Sequence, residues 1–142
     1  MVSEASSGPL EVLERMRRAA IDRSAADMGR VYAVDAVHEF PFGRPGVPSR
    51  IEGRDAILSF LTAFWNTSPL RYERYRTIAV HVTADPDTIV VEQEVDGTSS
   101  TTGSFVLPNV MVLEAGHGQI THLRDYANLV ALDAAIGTSP AS

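Results

Sequence analysis

From Thr88 to Tyr126 the chain reads TIVVEQEVDGTSSTTGSFVLPNVMVLEAGHGQITHLRDY. Three runs rich in β-branched residues, Thr88–Asp96, Ser104–Glu114 and Gln119–Tyr126, are separated by the small-residue stretches GTSSTTG and AGHG. That punctuation reads as strands joined by hairpins. Upstream, Leu70–Thr83 reads as another strand, delivered into this series by the turn Ala84-Asp85-Pro86-Asp87. Four strands in succession, each turned back on the last, predict an antiparallel sheet.

Further out the periodicity changes. Leu10, Leu13, Met16, Ala20 and Ile21 recur at spacings of three and four, predicting an amphipathic helix from Pro9 to about Arg23. Ser24 can cap a second short helix whose inner face carries Met28, Val31 and Tyr32. Residues 35–42, DAVHEFPF, read as a first strand ended by Pro41 and the loop GRPGVPS. Gly53 precedes a third helix, with Ile57, Phe60, Leu61, Phe64 and Trp65 on its apolar side, stopped near Ser68-Pro69. Asn128 can cap a closing helix ended by Gly137. The fold class expected is α+β: a cone-shaped curved sheet of about five strands wrapped by helices from the N-terminal half. A single domain spans 9–137, with a frayed stretch at 1–8 and a tail at 138–142.

The whole chain has 142 residues, enough for one domain with its own core. Its 12 basic and 18 acidic residues give a net charge of −6, which argues against a nucleic-acid partner. The arginines Arg15, Arg17, Arg18 and Arg23 share their helix with Glu11, Glu14 and Asp22, as a solvated face of mixed charge does. No run has the ~20 apolar residues of a membrane span. The acidic start MVSEASSGPLEVLE is unlike a secretory signal, so a cytoplasmic protein is expected. There is no cysteine. His38, His81, His117 and His122 show no metal-ligand spacing, and no phosphate loop or dinucleotide fingerprint is present, so neither a metal nor a cofactor is expected.

The order of elements, with VYAVDAVHEFPF at 31–42, IEGRDAILSFL at 51–61 and GQITHLRDYANLVAL at 118–132, resembles the nuclear transport factor 2-like superfamily. Within it the chain resembles the SnoaL-like, ketosteroid isomerase-related polyketide cyclases. The resemblance covers about residues 9–137. It implies a cone with a pocket at its open end and, often, a homodimer through the outer sheet face, where Val106, Val110 and Val112 would lie. The superfamily contains isomerases, cyclases, epoxide hydrolases, dehydratases and binding proteins, so the fold alone does not fix the activity.

The same resemblance points to Asp125 as the catalytic acid or base, because an acidic residue at that position serves epoxide hydrolases, cyclases and phenazine-biosynthesis A/B proteins alike. The plain alternative is a structural role, capping the next helix or pairing with Arg124. In VVEQEVDG, strand alternation puts Glu92, Glu94 and Asp96 on one face and Val91, Gln93 and Val95 on the other. Either face can be the inner one. Relatives carrying VxExExxG turn their acids inward, which would make Glu94 and Asp96 helpers of Asp125 and Glu92 a ligand contact. Desolvation and mutual repulsion there would favour a protonated carboxyl.

Asn109 shares a strand face with Phe105, Leu107, Met111 and Leu113, so its amide either serves a ligand or bonds a neighbouring backbone group. His38 and Glu39 point to opposite faces, and Glu39 matches a polar pocket position of relatives. Tyr32 and Tyr126 can offer hydroxyls at the rim. Phe40, Phe42, Phe60, Phe64, Trp65, Phe105 and Met111 are the expected walls.

Specific activities of relatives match poorly. The arginine, tyrosine and asparagine positions of epoxide hydrolases carry Glu94, Val37 and Glu39. The base and oxyanion positions of ketosteroid isomerases carry Phe40, Met16 and Asn109, and the helix His and Ser of phenazine-biosynthesis proteins are Phe60 and Phe64. The function expected is therefore cofactor-independent isomerisation, cyclisation or dehydration of an apolar small molecule by acid–base catalysis. The rivals are a non-catalytic binding protein for such a molecule, an epoxide-opening enzyme, and an interaction module with a filled pocket.

Overall fold

The computed structural model describes residues 8–137, so the tail at 138–142 and all but the last residue of the stretch 1–8 lie outside the described residues. Helix α1 (Pro9–Asp22) starts with proline in its first turn, where the missing N–H costs nothing. Val12, Leu13, Met16 and Ala19 form its buried stripe. The chain then reverses at Arg23, which adopts a left-handed conformation. The Ser24 hydroxyl accepts from the Asp27 N–H and opens α2 (Ala25–Val31).

Strand β1 (Tyr32–Glu39) follows directly, three residues earlier than the sequence predicts, so Tyr32 begins a strand instead of ending a helix. A short strand β2 (Arg50–Glu52) precedes α3 (Arg54–Thr67). Then come β3 (Leu70–Val82), β4 (Thr88–Ser99), β5 (Gly103–Gly116) and β6 (Gln119–Tyr126), and the chain closes with α4 (Leu129–Ile136). Asn128 caps α4 by accepting from the Ala131 N–H, and Gly137 ends it at φ 91°.

Among the described residues four helices pack with one six-stranded sheet, in the order β2-β1-β6-β5-β4-β3, which makes an open, curved α+β fold. The hairpins β3–β4, β4–β5 and β5–β6 are antiparallel as expected, whereas β1 lies parallel to β6. Register shifts at Tyr72/Arg74, Thr77/Ala79 and Glu114/Ala115 bend the long strands. Gly97 permits a close approach here. A Cβ at that position would collide with the Arg71 carbonyl oxygen and stand 2.5 Å from the ring of Phe105, its cross-strand partner.

The core forms where helices meet the concave face. Leu13, Ile57, Leu113, Ile120 and Leu123 are among its fully buried side chains, and each contributes about 1.5–3 kcal/mol by leaving water. A second cluster, Leu70, Val95, Phe105, Leu107 and Ala135, lies beneath α4.

Candidate functional site

Between the inner sheet face and α3 lies a cavity of about 470 Å³, a size typical of small-molecule sites. Helix α3 explains why it stays open. Ile57 packs completely, but Phe60, Leu61, Phe64 and Trp65, one and two turns later, are only partly buried because they face the void. Met16, Met28, Phe40, Met111 and Leu123 complete an apolar wall.

Into this hollow four neighbouring strands deliver polar side chains: Gln93 from β4, Asn109 from β5, Asp125 from β6 and His38 from β1. Gln93 and Asn109 are register partners, and Asp125 stands opposite Met111, two residues beyond Asn109. The row is tied together. Asn109 Nδ2 donates to Asp125 Oδ1 at 3.0 Å. The other carboxylate oxygen, Oδ2, faces His38 Nε2 at 3.8 Å, beyond hydrogen-bonding reach. The second ring nitrogen, Nδ1, shares a 3.0 Å hydrogen bond with the Tyr32 hydroxyl.

Two atoms of this row, His38 Nε2 and Asn109 Oδ1, are buried without a partner among the described residues. Unpaired buried polar atoms are rare and each costs about 1–3 kcal/mol. Here both flank one carboxylate. Burial pushes the phenols of Tyr32, Tyr72 and Tyr75 far up, and the negative charge of Asp125 adds to each shift. All three therefore remain neutral hydroxyls. Behind Gln93 stands Arg17 of α1, buried, with Nε and Nη2 both donating to Gln93 Oε1, at 3.1 and 2.8 Å.

Of the residues predicted for the site, Asp125, Asn109, Tyr32, Phe40, Phe60, Phe64, Trp65 and Met111 line the cavity. Asp125 does not cap the following helix; Asn128 does. Tyr32 lies deep in the core at 1% exposure and not at a rim.

The acidic face of β4 corrects the expectation. Val91, Gln93 and Val95 are buried, which turns Glu92, Glu94 and Asp96 to the outer face, away from the cavity. There they meet basic residues of β3: His81 reaches Glu92 at 2.6 Å, Arg76 reaches Glu94 at 2.5 Å and Asp96 at 2.9 Å, and Arg74 reaches Asp96 at 2.8 Å. Cross-strand neutralisation in water removes the reason to bury them. Glu39 is also outside, between His122 at 2.6 Å and Arg50 at 3.1 Å, and the His122 hydrogen bond foremost holds its carboxyl below the usual range. Phe42 is 67% exposed and packs edge-on against Tyr126. Phe105 is spent over Gly97 in the second core cluster.

Sequence reasoning missed His38, Gln93, Arg17, Tyr72 and Tyr75. A signal for His38 was present: Ala36, His38 and Phe40 alternate on one face, and all three are buried.

A curved sheet with helices on its concave side is the ketosteroid isomerase-like, nuclear transport factor 2-like class of fold. The chain belongs to the SnoaL-like domain family, whose model matches residues 13–123. It is 27% identical over 130 residues to the Bacillus subtilis protein YesE, covering 91% of this chain and 87% of that one. A crystal structure from Bacillus subtilis, provisionally described as an isomerase, superposes with a TM-score of 0.85 at 26% identity, covering 97% of this chain and 98% of that one. Rv0760c from Mycobacterium tuberculosis, in complex with estradiol-17β-hemisuccinate, gives a TM-score of 0.70 at 20% identity, covering 87% of this chain and 95% of that one. No helix of the described residues is long and apolar enough to cross a membrane.

Proposed function

We propose that this protein is a cofactor-independent enzyme that isomerises, cyclises or dehydrates an apolar small molecule by moving a proton with Asp125. One observation carries the reading: a carboxylate within an apolar cavity has one oxygen held by Asn109 and the other left towards an unpartnered His38 nitrogen. Asn109 fixes the rotamer, so Oδ2 is the atom positioned to take or return the proton. His38, anchored by Tyr32, stands where it can stabilise the carboxylate or receive the proton in turn. The aromatic and methionine walls hold the apolar body and exclude water, which strengthens every charge interaction inside.

A panel of β,γ-unsaturated ketones, followed by the ultraviolet absorbance of the conjugated product, tests this. The reading expects turnover of at least one member and its loss in Asp125→Asn. An undiminished rate in that variant would contradict it.

A second reading, a binding protein without chemistry, is favoured by the estradiol hemisuccinate held by the structurally similar Rv0760c. It expects tight binding of apolar ligands and no turnover. For either reading we assign self-association as a homodimer to the outer sheet face, where Ile78, Val106 and Val110 are exposed. Light scattering after gel filtration would give twice the chain mass.

A further inference from the structure

Arg17 is the one buried arginine among the described residues, at 6% exposure. Its position is unusual for a charge. Nε and Nη2 are both given to a neutral acceptor, Gln93 Oε1. Nη1 reaches Glu14 at 3.4 Å, but that carboxylate is 71% exposed. The guanidinium also lies over the Tyr75 ring, 5.4 Å from its centroid. Removing a cation from water for an amide is costly, and burial accordingly pulls the Arg17 guanidinium down from its ordinary value. The arrangement needs a reason beyond packing.

The chemistry of the donors gives one. A guanidinium only donates, so the end of the Gln93 side chain that faces Arg17 is its oxygen. The NH2 end is thereby turned away from Arg17. It has no partner among the described residues. Gln93 lines the cavity, whereas Arg17 does not. A charge behind the amide polarises it, so the N–H groups become stronger donors at the surface that a ligand meets.

We propose that Gln93 is the carbonyl anchor of the cavity and Arg17 the positioning residue that orients and polarises it, so that the site selects apolar ligands bearing a neutral ketone-type oxygen. The inference rests on the reading of this cavity as a ligand site. An anionic ligand group fits less well. Arg17 does not line the cavity, and the Asp125 charge that reaches Tyr32, Tyr72 and Tyr75 would repel it. A donor placed for one oxygen discriminates strongly against an analogue that lacks it, because the donor is then left unpaired.

A matched probe pair tests this by fluorescence or calorimetric titration: 2-acetylnaphthalene, and its hydrocarbon isostere 2-isopropenylnaphthalene. The wild type should prefer the ketone by at least about tenfold, the size of one well-formed hydrogen bond. Gln93→Glu keeps the shape and the contact with Arg17 but puts an acceptor where the donor was. Its preference for the ketone should fall to about one or below, a melting curve showing that the variant is folded. Arg17→Met should lower the same ratio without changing hydrocarbon affinity; should that variant fail to fold, Gln93→Glu alone decides. Equal binding of the two probes by the wild type, or a preference that survives Gln93→Glu, would overturn the anchor while leaving the cavity a ligand site. Tighter binding of 2-naphthoate than of the ketone would overturn it in favour of direct anion capture by Arg17. Binding of no probe would overturn the cavity reading and the anchor together.

Discussion

Asp125 and His38 reach the same cavity from parallel neighbouring strands, and their facing atoms, Oδ2 and Nε2, stop 3.8 Å apart. The gap is too long for a hydrogen bond and too short to hold a water between the two atoms. Each atom is thus left with bonding capacity in a wall that is otherwise largely apolar. Asp125→Asn keeps the shape and the Asn109 neighbour but cannot accept a proton. In any turnover assay it should lose about a hundredfold or more in kcat, with its melting temperature held or raised.

Tyr32 supports that pair from below. Its hydroxyl is the partner of His38 Nδ1, and both side chains are buried. Tyr32→Phe would leave a second ring nitrogen of His38 unsatisfied. The expected cost is about 1–3 kcal/mol, read as a lower midpoint in urea titration with an unchanged slope.

The acidic stripe of β4 provides the opposite control. Glu94 lies on the outer face and pairs with Arg76. Glu94→Gln should leave turnover and probe affinity within about twofold and cost at most about 1 kcal/mol of stability, as half-exposed ion pairs do. A hundredfold loss of activity would return the acids of β4 to the mechanism.

Much of this molecule was legible in the sequence. The hairpins of β3–β6, the caps at Ser24 and Asn128, and the apolar stripe of α3 follow from local periodicity and turn chemistry. Asn109 was legible because a polar side chain set in an inward apolar alternation must be paired or must meet a ligand. Asp125 was legible through the family resemblance of the stretch GQITHLRDYANLVAL. The facing of β4 was not. Its valines and its acids alternate equally well, and only the neighbouring strand decides between them. That strand, β3, presents Arg74 and Arg76 outward after one register shift and His81 after a second, and no periodicity reveals either. Gln93 was hidden for the same reason. Arg17 was hidden because its helix reads as mixed surface charge until the tertiary contact with Gln93 is known.

A pH prediction concerns the approach to the cavity. Arg44 holds Asp133 of α4 through two hydrogen bonds, Nη1 to Oδ2 and Nη2 to Oδ1, the second at 2.6 Å. The adjacent Gly46 and Val47, and Leu129 and Leu132, line the cavity. The Arg44 hydrogen bonds keep the Asp133 carboxyl below its ordinary value. A carboxyl lowered in the folded state adds stability that is complete above the unfolded value of about 4 and is lost as pH falls through the folded value. Melting curves should therefore show Arg44→Met less stable than wild type at neutral pH and the two converging as the medium is acidified below that point. A constant difference at all pH values would contradict the assignment.

The most direct measurement asks whether the carboxylate in the hollow exchanges protons with bound carbon acid. 2-Acetylnaphthalene has an enolisable methyl group, and its exchange with deuterium in D2O is followed by loss of the proton NMR signal. Wild-type protein should accelerate that exchange in a saturable way over buffer, while Asp125→Asn should bind the ketone equally well and leave the exchange at the buffer rate. Exchange no faster with the wild type than in buffer, or equally fast with the variant, would contradict a proton-transferring role for Asp125.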